Sequence, residues 1–296
     1  MRFYLALATW YLVALPTTSL GSNENARPAI GNPDGWAQVD APSEDSITCA
    51  NWSLRSWRLG HCSAQVPVIV PNDELAPRRD PLPFPFECPF ETPHLLARRV
   101  ALPLGKAWLI GCDLGTHGGG LWLVDAESQE KTALWNRRVW DITRVGDRVF
   151  ILSQAGVDDL GQILYVPAPD VSQGARPVAR TPGYPIGLFR GDHSLVVVTT
   201  AGLFGMKGDE VSPLTRFDLS RLLPTSTVST ESGVIYVAMR HFLLRLRKRP
   251  DGWVQEWLAP VDCQAFRERK ERPCDCLTGV ESLPTDPNKR QDLPRP

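Results

Sequence analysis

The chain has 296 residues, with 32 Lys and Arg against 33 Asp and Glu, a formal net charge of -1 and a hydrophobic share of 43%. That apolar content excludes wholesale disorder, and the balanced charge offers no excess with which to hold nucleic acid or an anionic membrane surface. The 27 prolines argue against a mainly helical protein, because each interior proline costs a helix about 3 kcal/mol.

Residues 1–21 hold one charge, Arg2, then an apolar run from Phe3 to Leu15, then Pro16 and the small residues Thr17, Thr18, Ser19 and Gly21. The run is shorter than the about 20 residues a membrane-crossing helix needs. It reads as a cleavable secretory signal ending near Gly21 or Ser22. No later run reaches spanning length, so a soluble protein without a membrane span is expected, secreted or periplasmic. Residues 22–45 are rich in Asn, Pro, Gly and Ser and read as a flexible leader.

Export changes how the cysteines read. Cys49, Cys62, Cys88, Cys112, Cys263, Cys274 and Cys276 become disulfide candidates, since an oxidising compartment preserves such bonds. Seven cannot all pair within one chain. Cys49 with Cys62, and Cys263 with Cys274 or Cys276, are the short-range pairings open to them. Cys274 and Cys276 have one residue between them and no second pair nearby, unlike the C-x2–4-C spacing of structural zinc. Neither a metal nor a cofactor is called for.

Strand-like runs fill the middle of the chain. Trp108–Ile110, Val149–Leu152, Leu195–Val198 and Val234–Val237 are short, β-branched and aromatic. Each follows a tight-turn pair, at Gly105-Lys106, Gly146-Asp147, Gly191-Asp192 and Ser232-Gly233. The turn glycines recur at intervals of 41, 45 and 42 residues, and a further step back of 45 reaches Gly60-His61. Four strands fit into each clear unit. In the second these are Trp140–Val145, Arg148–Ser153, Gly161–Val166 and Pro177–Arg180. The third repeats the order from Ile186 to Thr215, and the fourth from Thr227 to Leu258.

Four antiparallel strands every forty-odd residues resemble the blades of a β-propeller. The resemblance covers roughly Trp52–Val261 and is to propellers in general; the Gly-His and Trp-Asp dipeptides of WD40 repeats do not recur. It implies an all-β propeller over 46–262, with four clear blades, a fifth and irregular unit at 46–94, a Cys-containing segment at 263–282 and a loose tail at 283–296. A β-sandwich is the competing architecture. No cysteine falls between Asp113 and Asp262, where the repeat is cleanest, so disulfides are expected to staple irregular ends to a self-sufficient ring.

Thr116-His117-Gly118-Gly119-Gly120 resembles the oxyanion-hole string of lipase-like esterases, yet no Gly-x-Ser-x-Gly nucleophile turn accompanies it. It reads as a loop. The five histidines, His61, His94, His117, His193 and His241, are scattered over different units. Some five-bladed propeller glycosidases present carboxylates around the channel, where one acts as acid and another as base or nucleophile. By that resemblance Asp113, Asp141, Asp158 and Asp159 are the candidates for a glycosidase- or lactonase-type hydrolase. Arg137, Arg138, Trp140, Tyr184 and His117 gather toward the same face and are the candidates for binding. Arg245-Leu246-Arg247-Lys248-Arg249 reads as a solvated edge strand whose Arg245 and Arg247 face water. The preferred expectation is a binding or interaction module for a protein or glycan partner, with catalysis secondary.

Overall fold

The computed structural model describes residues 33–44, 46–47, 50, 56–60, 66–71, 77–89, 91–92, 96–154, 160–167, 171–191 and 194–260. The leader at 1–21, the tail at 283–296 and the segment at 263–282 lie outside the described residues.

Four separate antiparallel sheets carry the fold among the described residues, three of four strands and the last of five, and in each the four blade strands lie side by side in chain order. The first holds β4 (Arg98–Leu104), β5 (Ala107–Asp113), β6 (Gly119–Asp125) and β7 (Lys131–Trp135). The second holds β8 (Val139–Val145), β9 (Arg148–Gln154), β10 (Gly161–Pro167) and β11 (Arg176–Thr181). The third holds β12 (Pro185–Arg190), β13 (Leu195–Thr199), β14 (Gly202–Lys207) and β15 (Glu210–Arg216), and the fourth β16 (Ser226–Ser229), β17 (Ile235–Ala238), β18 (Leu243–Arg249) and β19 (Gly252–Pro260). These are the blades of an all-β propeller. The irregular N-terminal unit contributes a two-stranded sheet of β2 (Trp57–Leu59) and β3 (Ile69–Pro71). Gly105, Gly146 and Gly233 adopt positive φ at the turns they were expected to make.

The reason for separate blades lies in the middle strands. A strand turns successive side chains to opposite faces, and here both faces are apolar. On β9, Val149 and Ile151 pack with Leu109 and Leu121 of the first blade, whereas Phe150 and Leu152 pack with Leu195 and Val197 of the third. On β13, Val196 and Val198 instead meet Val237 and Leu244 of the fourth blade. Each of the first three blades is thus sandwiched between two cores, which a two-sheet sandwich would not produce. The first strands β4, β8, β12 and β16 lie beside one another, and β2 lies against β16. Hydrogen bonds anchor β2 there, from Leu59 N to the Ser226 side-chain Oγ of β16 at 2.8 Å and from Trp57 N to Met239 O, just past β17, at 3.2 Å.

First strands approach closely where side chains are missing. A methyl on Gly187 of β12 would overlap Thr227 Cγ2 of β16. Gly187→Ala is therefore expected to lose about 1–3 kcal/mol to overpacking, measurable by urea denaturation. An unchanged midpoint would mean that the two blades can move apart at no cost.

Two expectations are corrected. The segment 22–45 is not leader throughout: β1 (Trp36–Val39) pairs antiparallel with β19, from Trp36 opposite Pro260 to Val39 opposite Trp257. Trp36 packs edge-on against Trp57 at 5.2 Å between ring centroids. Its apolar residues were outweighed by the turn formers around them. Nor is β18 a solvated edge, because it lies between β17 and β19. Arg245 is buried and its Nε donates to Glu256 Oε2 at 2.6 Å, with Arg247 paired to the same carboxylate. Alternation placed Arg245 on the opposite face to Leu244 correctly, but in a propeller that face is also an interior.

Among the cysteines described, Cys88 and Cys112 form a disulfide across a sequence separation of 24. It ties the irregular stretch 77–89 to β5. Cys49, Cys62, Cys263, Cys274 and Cys276 lie outside the described residues.

Candidate functional site

The starts of the first strands converge on a cluster of arginines, aspartates and aromatic rings. Two local devices place them. In β8 the pairing with β9 slips between Val139 and Asp141, leaving Trp140 as the bulged residue. In β12 it slips between Pro185 and Gly187, leaving Ile186 in the corresponding place. A bulge bends its strand and re-aims a side chain, and both Trp140 and Ile186 line one cavity with Arg98, Tyr184, Thr200 and Thr225. The cavity is small and partly open to solvent.

The third device is the irregular stretch. Residues 78–80 run parallel beside β4, with Arg99 N donating to Arg78 O at 2.7 Å and Asp80 N to Arg99 O at 3.0 Å. Glu91 closes the stretch. It accepts from Cys88 N at 2.8 Å and Ala97 N at 2.9 Å and pairs with Arg79. Burial opposes its charge, but those donors outweigh it and hold its pKa below the ordinary carboxylate value.

The described carboxylates of the cluster are all engaged. Asp113 accepts from Arg138 Nε at 2.5 Å and from Gly115 N at 2.9 Å. Asp141 takes Ile142 N at 3.0 Å and Arg78 Nη1 at 3.2 Å on one oxygen and Leu188 N of the next blade at 3.1 Å on the other. Asp80 receives the other side of the Arg78 fork, at 2.9 and 3.1 Å. Burial works against the charge on Arg78, yet Asp141 and Asp80 more than offset it and raise its pKa. For Arg138 the same opposition is won by Asp113, with Tyr184 adding to it.

Arg98 differs. Its guanidinium lies over the Trp140 ring, 5.6 Å from the centroid, and its Nε is shut off from solvent without a hydrogen-bond partner among the described residues. No carboxylate among the described residues lies within ion-pair reach of it; Asp113, Asp141 and Asp80 serve Arg138 and Arg78 instead. Burial, with the like charges of Arg78 and Arg58, lowers its pKa against the opposing pull of Asp141 and Asp113. A guanidinium nonetheless stays protonated at any physiological pH. Trp140 carries a second cation, Arg138, at 4.8 Å, and meets Tyr184 edge-on at 4.9 Å, while its Nε1 is also buried without a partner among the described residues.

The predicted residues therefore divide. Arg138, Trp140, Tyr184, Asp113 and Asp141 come together. His117 ends a short 3-10 turn (Gly115–His117) and is exposed, and Arg137 is exposed beside Arg138. Neither lines the cavity. Asp158 and Asp159 lie outside the described residues. Reading the sequence missed Arg98, Arg78, Thr200 and Thr225. Arg98 had a detectable signal, standing 42 residues before Trp140 and so at one repeat's distance. Among the described residues no cluster of three metal-ligating side chains occurs, and no helix is long and apolar enough to cross a membrane.

No protein-family model matches the chain, and no curated protein does. Solved structures with similar arrangements include the extracellular domain of a putative one-component system from B. thetaiotaomicron, at 13% identity and a TM-score of 0.37 over 60% of this chain and 23% of that one. The N-terminal domain of Nup159 aligns at 11% identity and a TM-score of 0.37, covering 75% of this chain and 65% of that one. An engineered GH43 glycoside hydrolase aligns at 11% identity and a TM-score of 0.33, covering 58% and 43%. The chain spans about a quarter of the length of the first structures it matches, at 23% and 26%.

Proposed function

We propose that this protein is an exported recognition module that binds a protein or glycan partner at the cavity between its first strands. The observation that carries the reading is the division of charge. Every described carboxylate of the cluster is consumed by an arginine and by backbone N–H groups, whereas Arg98 and Trp140, which line the cavity, each retain a buried donor without a partner among the described residues. A hydrolase working through Asp113 and Asp141 would need carboxyl groups free to give and take protons. Binding sites on rigid scaffolds with a few convergent polar groups fit the remaining chemistry. Export is supported by the apolar leader of residues 1–21 and by the Cys88–Cys112 disulfide, a bond that persists in oxidising compartments.

The test is a screen of the purified protein against glycan and peptide arrays, with chromogenic glycosides and lactones assayed in parallel. Wild type is expected to retain a defined binder, and Tyr184→Ala to lose about tenfold in affinity, in line with the cost of truncating an aromatic anchor. Turnover of a glycoside or lactone that disappears in Asp113→Asn would replace this reading with the hydrolase.

A further inference from the structure

We propose that the cavity is an oxyanion receptor, taking one carboxylate, sulfate or phosphate group on Arg98 with the Trp140 indole N–H as a second donor. The proposal deepens the recognition reading and rests on the same site.

The argument is one of unmatched donors. Arg and Trp side chains donate hydrogen bonds and accept none. Both Arg98 Nε and Trp140 Nε1 are closed from solvent and without a partner among the described residues, and both residues line the same cavity. A buried donor without an acceptor costs about 1–3 kcal/mol, and more when it is charged. The hydroxyls at the cavity do not relieve them. Thr200 Oγ1 accepts from Tyr184 N at 2.8 Å, and Thr225 Oγ1 is turned onto the carbonyl oxygens of Trp57 and Ala238. The nearby carboxylates are spoken for by Arg78 and Arg138. What would satisfy the site is an incoming group that only accepts and that carries negative charge.

The geometry also selects the mode of binding. Arg98 and Arg138 both lie over the Trp140 ring, at 5.6 and 4.8 Å from its centroid. A ring so occupied orients guanidinium groups rather than stacking on a sugar. A planar guanidinium held on an aromatic face presents its N–H edge as a fork, which matches two oxygens of one oxyanion. Arg78 and Arg58 add positive potential around it.

The experiment uses acetate, sulfate and inorganic phosphate as probes, titrated into the full protein at low ionic strength and followed by tryptophan fluorescence and thermal unfolding. Wild type is expected to show saturable binding of at least one anion with a rise in Tm. Arg98→Lys keeps the charge but loses the fork, and should bind about tenfold more weakly. Arg98→Gln should lose the response altogether while melting no lower than wild type in anion-free buffer, since it removes an unpaired cation. The ranking of the three probes separates a carboxylate source from a sulfate or phosphate source. An undiminished response in Arg98→Gln, or no saturable response in folded wild type, would overturn the receptor. So would a marked drop in the Tm of Arg98→Gln, which would make Arg98 a structural cation. An array binder that these anions fail to displace, and that Arg98→Gln still holds, would sink the receptor and leave the recognition reading standing.

Discussion

Asp141→Ala is expected to lower stability by about 3–5 kcal/mol, through two buried donors left without an acceptor and one ion pair broken. The donors are Ile142 N and Leu188 N, and the ion pair is with Arg78. Most of the loss should come from the backbone groups, because the Arg78 side chain is 46% exposed and water can take over part of its charge. Asp141→Asn keeps a carbonyl oxygen for one of the N–H groups and should lose about half as much. Equilibrium denaturation of the two variants distinguishes the roles. Equal losses would assign the effect to charge alone, and no loss in either would remove Asp141 from the scaffold. What makes this residue consequential is its reach. One carboxylate joins the second blade, the third blade and the stretch that precedes the first. Three units meet on a side chain that a sequence reader takes for a catalytic acid.

The second large effect is expected at Cys88–Cys112. Closing a loop with a separation of 24 residues restricts the unfolded chain by about 3–4 kcal/mol on the chain-entropy account. For a domain of this size that corresponds to roughly 6–16 °C in Tm. Both sulfurs belong to buried residues, at 3% and 0% exposure, so the paired variant Cys88→Ala with Cys112→Ala is a cleaner test than added reductant. Scanning calorimetry should show the drop, and an unchanged melting point would refute the stapling role. A further readout follows from the neighbours. The disulfide and Glu91 together hold the stretch that carries Arg78 to Asp141, so the paired variant should also weaken anion binding at Arg98.

The blades were legible because their signal is local and repeated. Tight turns, three of them with glycine at positive φ, followed by apolar runs, place β5, β9, β13 and β17 within two residues of their observed starts. Where the sequence reading failed, the missing information was tertiary. Trp36–Val39 is a strand only because β19 offers it an edge more than two hundred residues later. Arg245 looked solvated because alternation assigns faces without saying whether a face is covered. At the site, Trp140, Arg138 and Tyr184 meet because the repeat sets the starts of β8 and β12 side by side. Arg98 was overlooked because its strand precedes the first recognised turn, and the repeat count carried back one unit finds it. The engagement of Asp113 and Asp141 was beyond reach, since their partners Arg138 and Arg78 lie 25 and 63 positions away along the chain.

The pairing of β1 with β19 also sets the order of events during synthesis. Trp36 stands opposite Pro260, so the strand that leaves the ribosome earliest among those described waits for the last of them. Contacts so distant in sequence are slow to form, because loop closure precedes any gain from them. Until then the fourth blade presents β19 as an open edge, and β1 of another copy carries the same complementary strand. At high nascent-chain density the two ends of neighbouring molecules compete for one seam, and a linked dimer exchanged through β1 is the product that competition would leave.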